Sequence, residues 1–244
     1  MSTILTLIAM DKEGKNFADN NGFVRSKKTL STPEVPAEIY EKKISDSCSQ
    51  ILVISGRCPL HGVNRIGPSI NLLAMTAIHT FKPDYLINAG FAGGFAKHAA
   101  VIGDVYIGNG RVFNHDRLFT DDDLYKAYCE GGFPVFDSSE IAAAIDAKTG
   151  QITSSGSMLA SNEEKLNMER FGSTVKDMEA AAIAEVAFLM HVPFIPIKVI
   201  SDYVDHPSCS QEQFNSNYPQ LVAMLHNALL KTMHELAMNQ HTMN

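Results

Sequence analysis

The sequence lacks the features that would assign it to a nucleic-acid-binding or membrane-surface class. It has no tryptophan, which by itself decides nothing, and no basic run or RNA-binding motif. Its 27 acidic residues outnumber its 20 basic residues, which gives a net charge of −7. Nucleic acid and anionic membranes are therefore not expected as partners, because both are bound through clustered positive charge.

Cysteine is scarce, and the motifs of several enzyme classes are missing. The four cysteines form no C-x-x-C pair, so neither a zinc ribbon nor a thioredoxin-like redox site is indicated. No H-E-x-x-H, G-x-S-x-G or P-loop motif occurs. We expect no metal site, and we expect free thiols in a reducing cytoplasm at Cys48, Cys58, Cys129 and Cys209.

Long apolar runs are also missing, so no segment is expected to span a bilayer. The N-terminal MSTILTLIAMDKEGK has no basic region or small-residue cleavage site, and it indicates a first strand instead of a signal peptide. The 244 residues are 45% hydrophobic and 19% charged, which is ordinary globular composition. We therefore expect one cytoplasmic domain over residues 1–244.

Apolar runs of strand length alternate with helical patterns. The predicted strands cover residues 3–10, 50–56, 84–90, 104–113, 150–156, 173–178 and 193–201. The predicted helices cover residues 67–81, 161–172, 178–191 and 218–239. This alternation indicates an α/β fold with a mostly parallel central sheet. Pro196 predicts an irregular or edge position in the last strand, and residues 14–48 give no clear pattern.

Three acidic residues follow predicted strand ends, namely Glu13, Glu179 and Asp202, and a glycine-rich turn follows another strand at residues 87–95. Each has an ordinary structural explanation, as a residue at a helix start, a capping or turn aspartate, or a tight turn. Because the ends of parallel strands meet at one crevice, their coincidence favours a common site.

The motifs occur in the order seen in one enzyme family. They are AMDKE, INAGFAGGF, IGDV, NHDR, VKDMEAAAIAEVA and VISDYVD. The sequence resembles the methylthioadenosine/S-adenosylhomocysteine nucleosidases from about residue 3 to about residue 235. The combination of a Met-Glu helix start with a Ser-Asp pair after the next strand is specific. The KDME form and Lys198 are closer to the plant-type branch than to the bacterial one.

The resemblance implies a fold and an activity. The fold is α/β, a three-layer nucleoside phosphorylase-like fold with a twisted mixed central sheet flanked by helices. The activity is hydrolysis of the bond between adenine and a 5′-thio-substituted ribose, in 5′-methylthioadenosine and also S-adenosylhomocysteine, which releases adenine. The resemblance also implies a homodimer and no metal or organic cofactor.

The resemblance assigns roles to residues of the matching motifs. Glu13 would be the base that deprotonates water, and Asp202 would be the acid that protonates the five-membered ring of the purine. Ser201 would hold Asp202 in place, Glu179 would bind the ribose hydroxyls, and Met178 would pack against the sugar. The other expected substrate-binding residues are Phe91, Ala92 and Gly93 around the base, Leu159 in an adenine-contacting strand over 156–161, and Lys176 and Asp177 beside Met178.

Three positions depart from the family pattern. Phe91 stands where a small hydroxyl residue is usual, Ser157 replaces an aspartate, and Lys198 replaces an arginine that lies near the water in bacterial relatives. A bulky Phe91 would narrow the pocket, which predicts a preference for methylthioadenosine over S-adenosylhomocysteine.

Two other functions remain open from the sequence. A phosphate-dependent purine nucleoside phosphorylase on the same fold needs phosphate donors near the first strand, where Glu13 would repel the anion. A non-catalytic nucleoside-binding or storage protein would account for Phe91, but it leaves the three acids unexplained. Adenine release that requires phosphate would favour the phosphorylase.

Overall fold

The computed structural model describes residues 2–45, 47–117, 122–205 and 210–239, without the side chains of 210–214 and 239. The strands are β1 Ser2–Ile8, β2 Val24–Arg25, β3 Ala37–Lys43, β4 Cys48–Ser55, β5 Tyr85–Gly94, β6 Val105–Gly108, β7 Arg111–Asn114, β8 Phe133–Pro134, β9 Lys148–Gly150, β10 Ile152–Ser154, β11 Val175–Asp177 and β12 Phe194–Tyr203. The helices are α1 Asp11–Asn20, α2 Ile70–Phe81, α3 Asp123–Gly131, α4 Ser139–Ile145, α5 Asn162–Arg170, α6 Ala180–Leu189 and α7 Ser210–Asn239.

Two hydrophobic cores lie on the two faces of the sheet. Successive strand residues point to opposite faces, so Leu5 and Leu7 of β1 join one core while Ile4 and Ile8 join the other. The first core is completed by α2 and α6, and the second by α1, α4 and α7. The order helices, sheet, helices confirms the prediction of three layers.

Strand β5 is the centre of the sheet. It pairs in parallel with β1 and β12 and antiparallel with β11. Six strand pairs of the sheet are parallel and five are antiparallel, so the sheet is mixed, as predicted. The carboxyl ends of β1 and β11 approach β5 from opposite directions, which places both at the middle of that strand.

The prediction for Pro196 was wrong. Strand β12 is an interior strand, paired with β5 on one side and with β6 on the other. The ladder to β6 begins at Ile197, so the missing N–H of Pro196 lies just before that ladder. Its ring lies over Gly108, where a Cβ would come within 2.6 Å of Pro196 Cγ.

Several predicted boundaries differ from the structure. Residues 104–113 form two strands, since Asn109 and Gly110 turn the chain, and 150–156 is likewise interrupted at Gln151. Residues 14–48 contain the end of α1 and strands β2 and β3, whose short or polar patterns hid them. Helix α7 begins at Ser210 and carries Pro219 inside it, although proline usually marks the first turn.

The cysteines that can be placed, Cys48, Cys58 and Cys129, hold free thiols, while Cys209 lies outside the described residues. Across the described ranges, no group of three or more His, Cys, Asp and Glu side chains is arranged to hold a metal ion. Within the same ranges, no helix combines the length and the apolar character needed to cross a membrane.

Candidate active site

The site is built around the middle of β5. Strand β1 pairs with Tyr85–Ala89 and β11 pairs with Gly93–Gly94, so both strands end beside Gly90–Ala92. The side chains that follow β1 and β11 therefore meet at this break in the pairing, which we call the β5 gap (Gly90–Ala92). Strand β12 lines the other edge of β5 throughout. A gap between strand ends is where open α/β sheets bind ligands.

Glu13 enters the gap from α1. It lies in the first turn of the helix that follows β1 and is only 3% exposed. A Cβ added to Gly90 would lie 3.6 Å from its Oε2, which places this carboxyl group against the backbone of β5. Gly14 sets the helix close to β4, because a Cβ there would lie 2.5 Å from Cγ1 of Ile54.

Asp177 and Glu179 share the start of α6 but face different partners. The Oδ2 of Asp177 accepts the N–H groups of Glu179 and Ala180, so Asp177 is the residue that caps the helix. Glu179 instead accepts the N–H of Gly67 at 3.0 Å. Gly67 has a φ of +66°, a conformation that favours glycine. The hydrogen bond from Gly67 therefore holds the Glu179 side chain at the β5 gap.

Lys198 places a positive charge among the buried acids of the site. Its Nζ lies 2.7 Å from Oδ2 of Asp177 and donates to Oδ1 of Asn88 at 2.7 Å. The lysine side chain is 1% exposed and that of Asp177 is 0% exposed. Because the Asp177 oxygens are enclosed by protein, the geometry gives this residue a positioning role, whereas the sequence predicts contact with substrate.

The charge of buried Lys198 acts on three buried carboxyl groups, those of Glu13, Asp177 and Glu179, and the pKa values of the three shift in different directions. Burial raises the pKa of Asp177, but the charge of Lys198 and hydrogen bonds from Lys198, Ser154 and Ala180 outweigh it, so the pKa is lowered. Burial raises the pKa of Glu179 against the opposing effect of Lys198. Groups whose environments divide their pKa values in this way are typical of catalytic sites.

Glu13 has the most strongly perturbed carboxyl group of the site. Burial is the largest cause, the negative charge of Glu179 adds to it, and Lys198 opposes it, which together raise the pKa from 4.5 to about 8. A carboxylate with a raised pKa is a stronger base than an exposed glutamate. Near neutral pH most of the Glu13 carboxyl groups therefore hold a proton, and the ionised fraction, which is the stronger base, grows towards pH 8.

Asp202 is directed by an irregularity in β12. The register with β5 shifts between Ile200 and Asp202, and bulges of this kind redirect side chains near functional sites. The hydroxyl of Ser201 donates to Oδ1 of Asp202 at 2.6 Å. The other oxygen, Oδ2, lies 3.6 Å from where a Cβ on Gly93 would be, which places it beside β5.

Lys176 holds the loop that follows β10. Its Nζ donates to the carbonyl oxygens of Ser157 and Met158, at 2.7 and 2.9 Å. Residues 156–161 are this loop, so the prediction of a strand there was wrong, because the ladder of β10 ends at Ser154. Leu159 is 80% exposed on the loop, and its contact with adenine stays a prediction.

The remaining predicted residues also border the gap or its neighbours. Phe91 and Ala92 are in the gap itself, and Gly93 is the next residue of β5. Phe91 is half-buried against the core that α1, α4 and α7 share. Met178 is half-buried between Asp177 and Glu179. The structure therefore brings the residues from the three strand ends to one place.

Sequence reasoning missed several residues that shape this site. Gly67 and Asn88 act through single hydrogen bonds to Glu179 and Lys198, and a turn glycine or a strand asparagine gives no pattern of its own. Ser154 donates to Asp177 and accepts from the N–H of Ala181. Tyr218 is only the first residue of a predicted helix in the sequence, although in the structure it contacts Phe91.

We predict that Lys198→Met destabilises the protein by about 3 kcal/mol, because it leaves buried carboxylates without their cation. Equilibrium urea unfolding measures the loss. The matched control is Lys148→Met, which removes the surface pair with Asp104, where the lysine side chain is 48% exposed. That variant should lose less than about 1 kcal/mol. Equal losses in the two variants would contradict the role given to Lys198.

Comparison with known proteins agrees with the geometry. Residues 3–233 match the family model of the phosphorylase superfamily, so the chain belongs to that superfamily. Within it, the chain belongs to the 5′-methylthioadenosine/S-adenosylhomocysteine nucleosidases. An Arabidopsis thaliana protein of that name is 32% identical over 95% of this chain and 90% of its own length. The predicted resemblance is confirmed.

Two further relatives from Arabidopsis thaliana support this assignment. A 5′-methylthioadenosine nucleosidase is 28% identical over 95% of this chain and 86% of its own length. The solved structure of a 5′-methylthioadenosine nucleosidase in apo form superimposes with a TM-score of 0.90 at 27% identity, covering 96% of this chain and 95% of that one. The predicted nucleoside phosphorylase-like fold is confirmed.

Proposed function

We propose that this protein hydrolyses the N-glycosidic bond of 5′-methylthioadenosine, and of S-adenosylhomocysteine less efficiently, releasing adenine and a 5-thio-substituted ribose. One observation carries the proposal. A buried carboxyl group with a pKa of about 8, Glu13, and a second acid, Asp202, border the same stretch of β5, at Gly90 and Gly93. The names of the relatives, which are nucleosidases of 5′-methylthioadenosine and S-adenosylhomocysteine, support glycosidic hydrolysis of an adenine nucleoside as the reaction.

Glu13 and Asp202 would divide the acid–base chemistry between them. Adenine leaves poorly as an anion, so Asp202 protonates its five-membered ring as the bond breaks. The ribose then develops oxocarbenium character, and Glu13 deprotonates the water that attacks it, the logic of inverting glycosidases. Each positioned group is expected to contribute roughly 10²–10⁴-fold to the rate. Ser201 holds Asp202 for this transfer through the hydroxyl contact at 2.6 Å.

The other residues would bind the nucleoside. Glu179, fixed at Oε1 by Gly67, offers its carboxylate to the ribose hydroxyls, and a nearby negative charge also favours the positive transition state. Met178 packs against the sugar. Phe91, Ala92 and Gly93 line the base, and the Phe91 ring, which contacts Tyr218 of α7, also borders the space for the 5′-substituent. Leu159 covers the base from the loop that Lys176 holds. Asp177 acts indirectly, by orienting Lys198 and starting α6.

The alternatives fit these observations less well. A phosphorylase would have to bring a phosphate dianion into a buried site beside Glu13 and Glu179, whose pKa values burial already raises and which repel the anion once ionised. A storage protein has no use for a buried glutamate with a raised pKa, since such a group costs folding free energy. Hydrolysis needs no phosphate in the site, and it gives the raised pKa of Glu13 a use in accepting a proton from water.

Measurement of adenine release tests the proposed reaction directly. We expect release from 5′-methylthioadenosine without phosphate, no stimulation by phosphate, and a lower kcat/KM for S-adenosylhomocysteine, because Phe91 takes up pocket volume. Phe91→Thr should reduce the preference for the methylthio substrate. Strict dependence on phosphate would replace hydrolysis with phosphorolysis, and equal kcat/KM values for the two nucleosides would refute the role of Phe91 alone.

We further propose that residues 1–244 form one domain, which works as a homodimer in the cytoplasm. Large apolar side chains are exposed in the loop before α2 and on the outer side of that helix, at Leu60, Val63, Leu72 and Met75. Exposed apolar side chains concentrated in one segment favour an interface. Sedimentation equilibrium tests the stoichiometry, and a monomer at micromolar concentration would contradict it.

A further inference from the structure

Helix α7 has a buried stripe that begins at the active site. Its residues facing the sheet follow helical spacing, and the spacing extended one turn towards the N-terminus falls on Tyr218. The fully buried members of the stripe are Leu221, Leu225, Leu229, Met233 and Leu236. Tyr218 itself is half-buried, so it stands where the stripe leaves the core and reaches the β5 gap.

Tyr218 contacts one residue of the site, Phe91, and interacts electrostatically with another, Glu13. Its ring meets the ring of Phe91 edge-on, with centroids 5.8 Å apart and an interplanar angle of 71°. This is the arrangement that aromatic pairs prefer. Burial first and the negative charge of Glu13 second raise the pKa of the Tyr218 hydroxyl. Tyr218 and Phe91 together thus form an aromatic wall at the Glu13 end of the gap.

A second contact fixes the helix against the same end of the gap. One ring nitrogen of His226, on α7, lies 3.2 Å from the backbone carbonyl of Glu13, and its ring packs edge-on against Phe17 of α1. Two turns separate Tyr218 from His226, so α7 is anchored to α1 close to the wall. The position of the Tyr218 ring is therefore set by packing, which a specificity-determining residue requires.

We infer that Tyr218 is a specificity-determining residue, which with Phe91 limits the size of the 5′-substituent that the site accepts. This inference rests on the proposed function. If the base lies towards Asp202 and the ribose between Glu13 and Glu179, the group that continues past the ribose is the 5′-substituent, and the aromatic wall stands in its direction. A thiomethyl group fits beside the wall, whereas a homocysteinyl group meets it.

The test compares binding of 5′-methylthioadenosine and S-adenosylhomocysteine by calorimetry, in an Asp202→Asn background that arrests turnover. Tyr218→Ala should shift the ratio of the two dissociation constants at least tenfold towards S-adenosylhomocysteine, about 1.4 kcal/mol. Tyr218→Phe should leave the ratio unchanged, because it keeps the ring. The control is Gln220→Ala, an exposed position two residues along α7 that should also leave the ratio unchanged.

The outcomes separate this inference from the proposed function. If Tyr218→Ala weakens the binding of both nucleosides equally, Tyr218 only contributes to the packing of α7 and the inference is wrong. If Tyr218→Phe changes the ratio as much as the alanine variant does, the hydroxyl and not the wall is responsible, which also overturns it. Binding without cleavage by the wild-type chain would refute hydrolysis, while the ratio still decides the role of Tyr218. Binding of neither nucleoside overturns both.

Discussion

Asp202→Asn is expected to lower kcat by roughly 10²–10⁴-fold while leaving the affinity for 5′-methylthioadenosine nearly unchanged. Asparagine has almost the same shape and still accepts the Ser201 hydroxyl through its amide oxygen, so the local structure survives. It cannot release a proton, however, and adenine must then leave without protonation. Single-turnover measurement of adenine release reports the chemical step, and calorimetry reports binding.

Two further variants make this prediction specific. Asp146→Asn is the matched control, since it makes the same change at an exposed aspartate that ends α4, and it should keep full activity. Ser201→Ala removes the hydroxyl that orients Asp202 and should fall between the two in kcat. An Asp202→Asn variant that retains substantial kcat would mean that another group, or water, protonates adenine.

The sequence predicts the elements that carry the chemistry because those elements have strong local patterns. Strands β1, β5 and β12 are largely apolar, and charged residues or a glycine cluster stand at the end of each strand or shortly after it. The acids Glu13, Glu179 and Asp202 can therefore be assigned to strand ends from the amino-acid pattern alone. The convergence that a mostly parallel sheet predicts is present, although Glu179 reaches the gap from the antiparallel strand β11.

The electrostatics of the site cannot be predicted in this way, because they depend on contacts between distant residues. Lys198 lies inside an apolar strand, where a lysine gives no indication of its partner, and it meets Asp177 only because β12 and β11 flank β5 on opposite edges. The sequence predicts that Asp177 contacts the substrate because its neighbours in the motif, Met178 and Glu179, are assigned to the substrate. The break in pairing at Gly90–Ala92 is likewise a property of three strands together.

Helix α7 also carries a site residue whose neighbours cannot be predicted from the sequence. Its apolar stripe is predicted by the sequence, but the proline at 219 places the start of the predicted helix at Tyr218, and a residue at a helix start has no assigned neighbour. Only the packing of α7 against α1 and β5 brings Tyr218 to Phe91. Residues that act through such packing are the ones that pattern analysis misses.

Glu13→Gln is expected to abolish activity and yet to stabilise the protein, with a gain that grows with pH. The folded protein holds the Glu13 proton up to a pKa of about 8, whereas the ordinary pKa is 4.5. Between these values the unfolded chain has released the proton and the folded chain has not, so wild-type stability falls as pH rises through this window. Glutamine has no charge to bury, and the variant avoids the loss, which reaches at most about 5 kcal/mol.

Measurements of stability and activity over pH test both halves of this prediction. Urea unfolding should show equal stability for wild type and Glu13→Gln near pH 4.5 and a more stable variant above pH 8, while Glu163→Gln, on the exposed side of α5, should follow wild type throughout. The wild-type kcat/KM should rise towards pH 8, because only ionised Glu13 accepts a proton from water. A variant that is destabilised at every pH would mean that contacts to the ionised Glu13 carboxylate stabilise the fold by more than its burial costs. The pKa of Glu13 would then not be raised, and the catalytic base would have to be sought elsewhere.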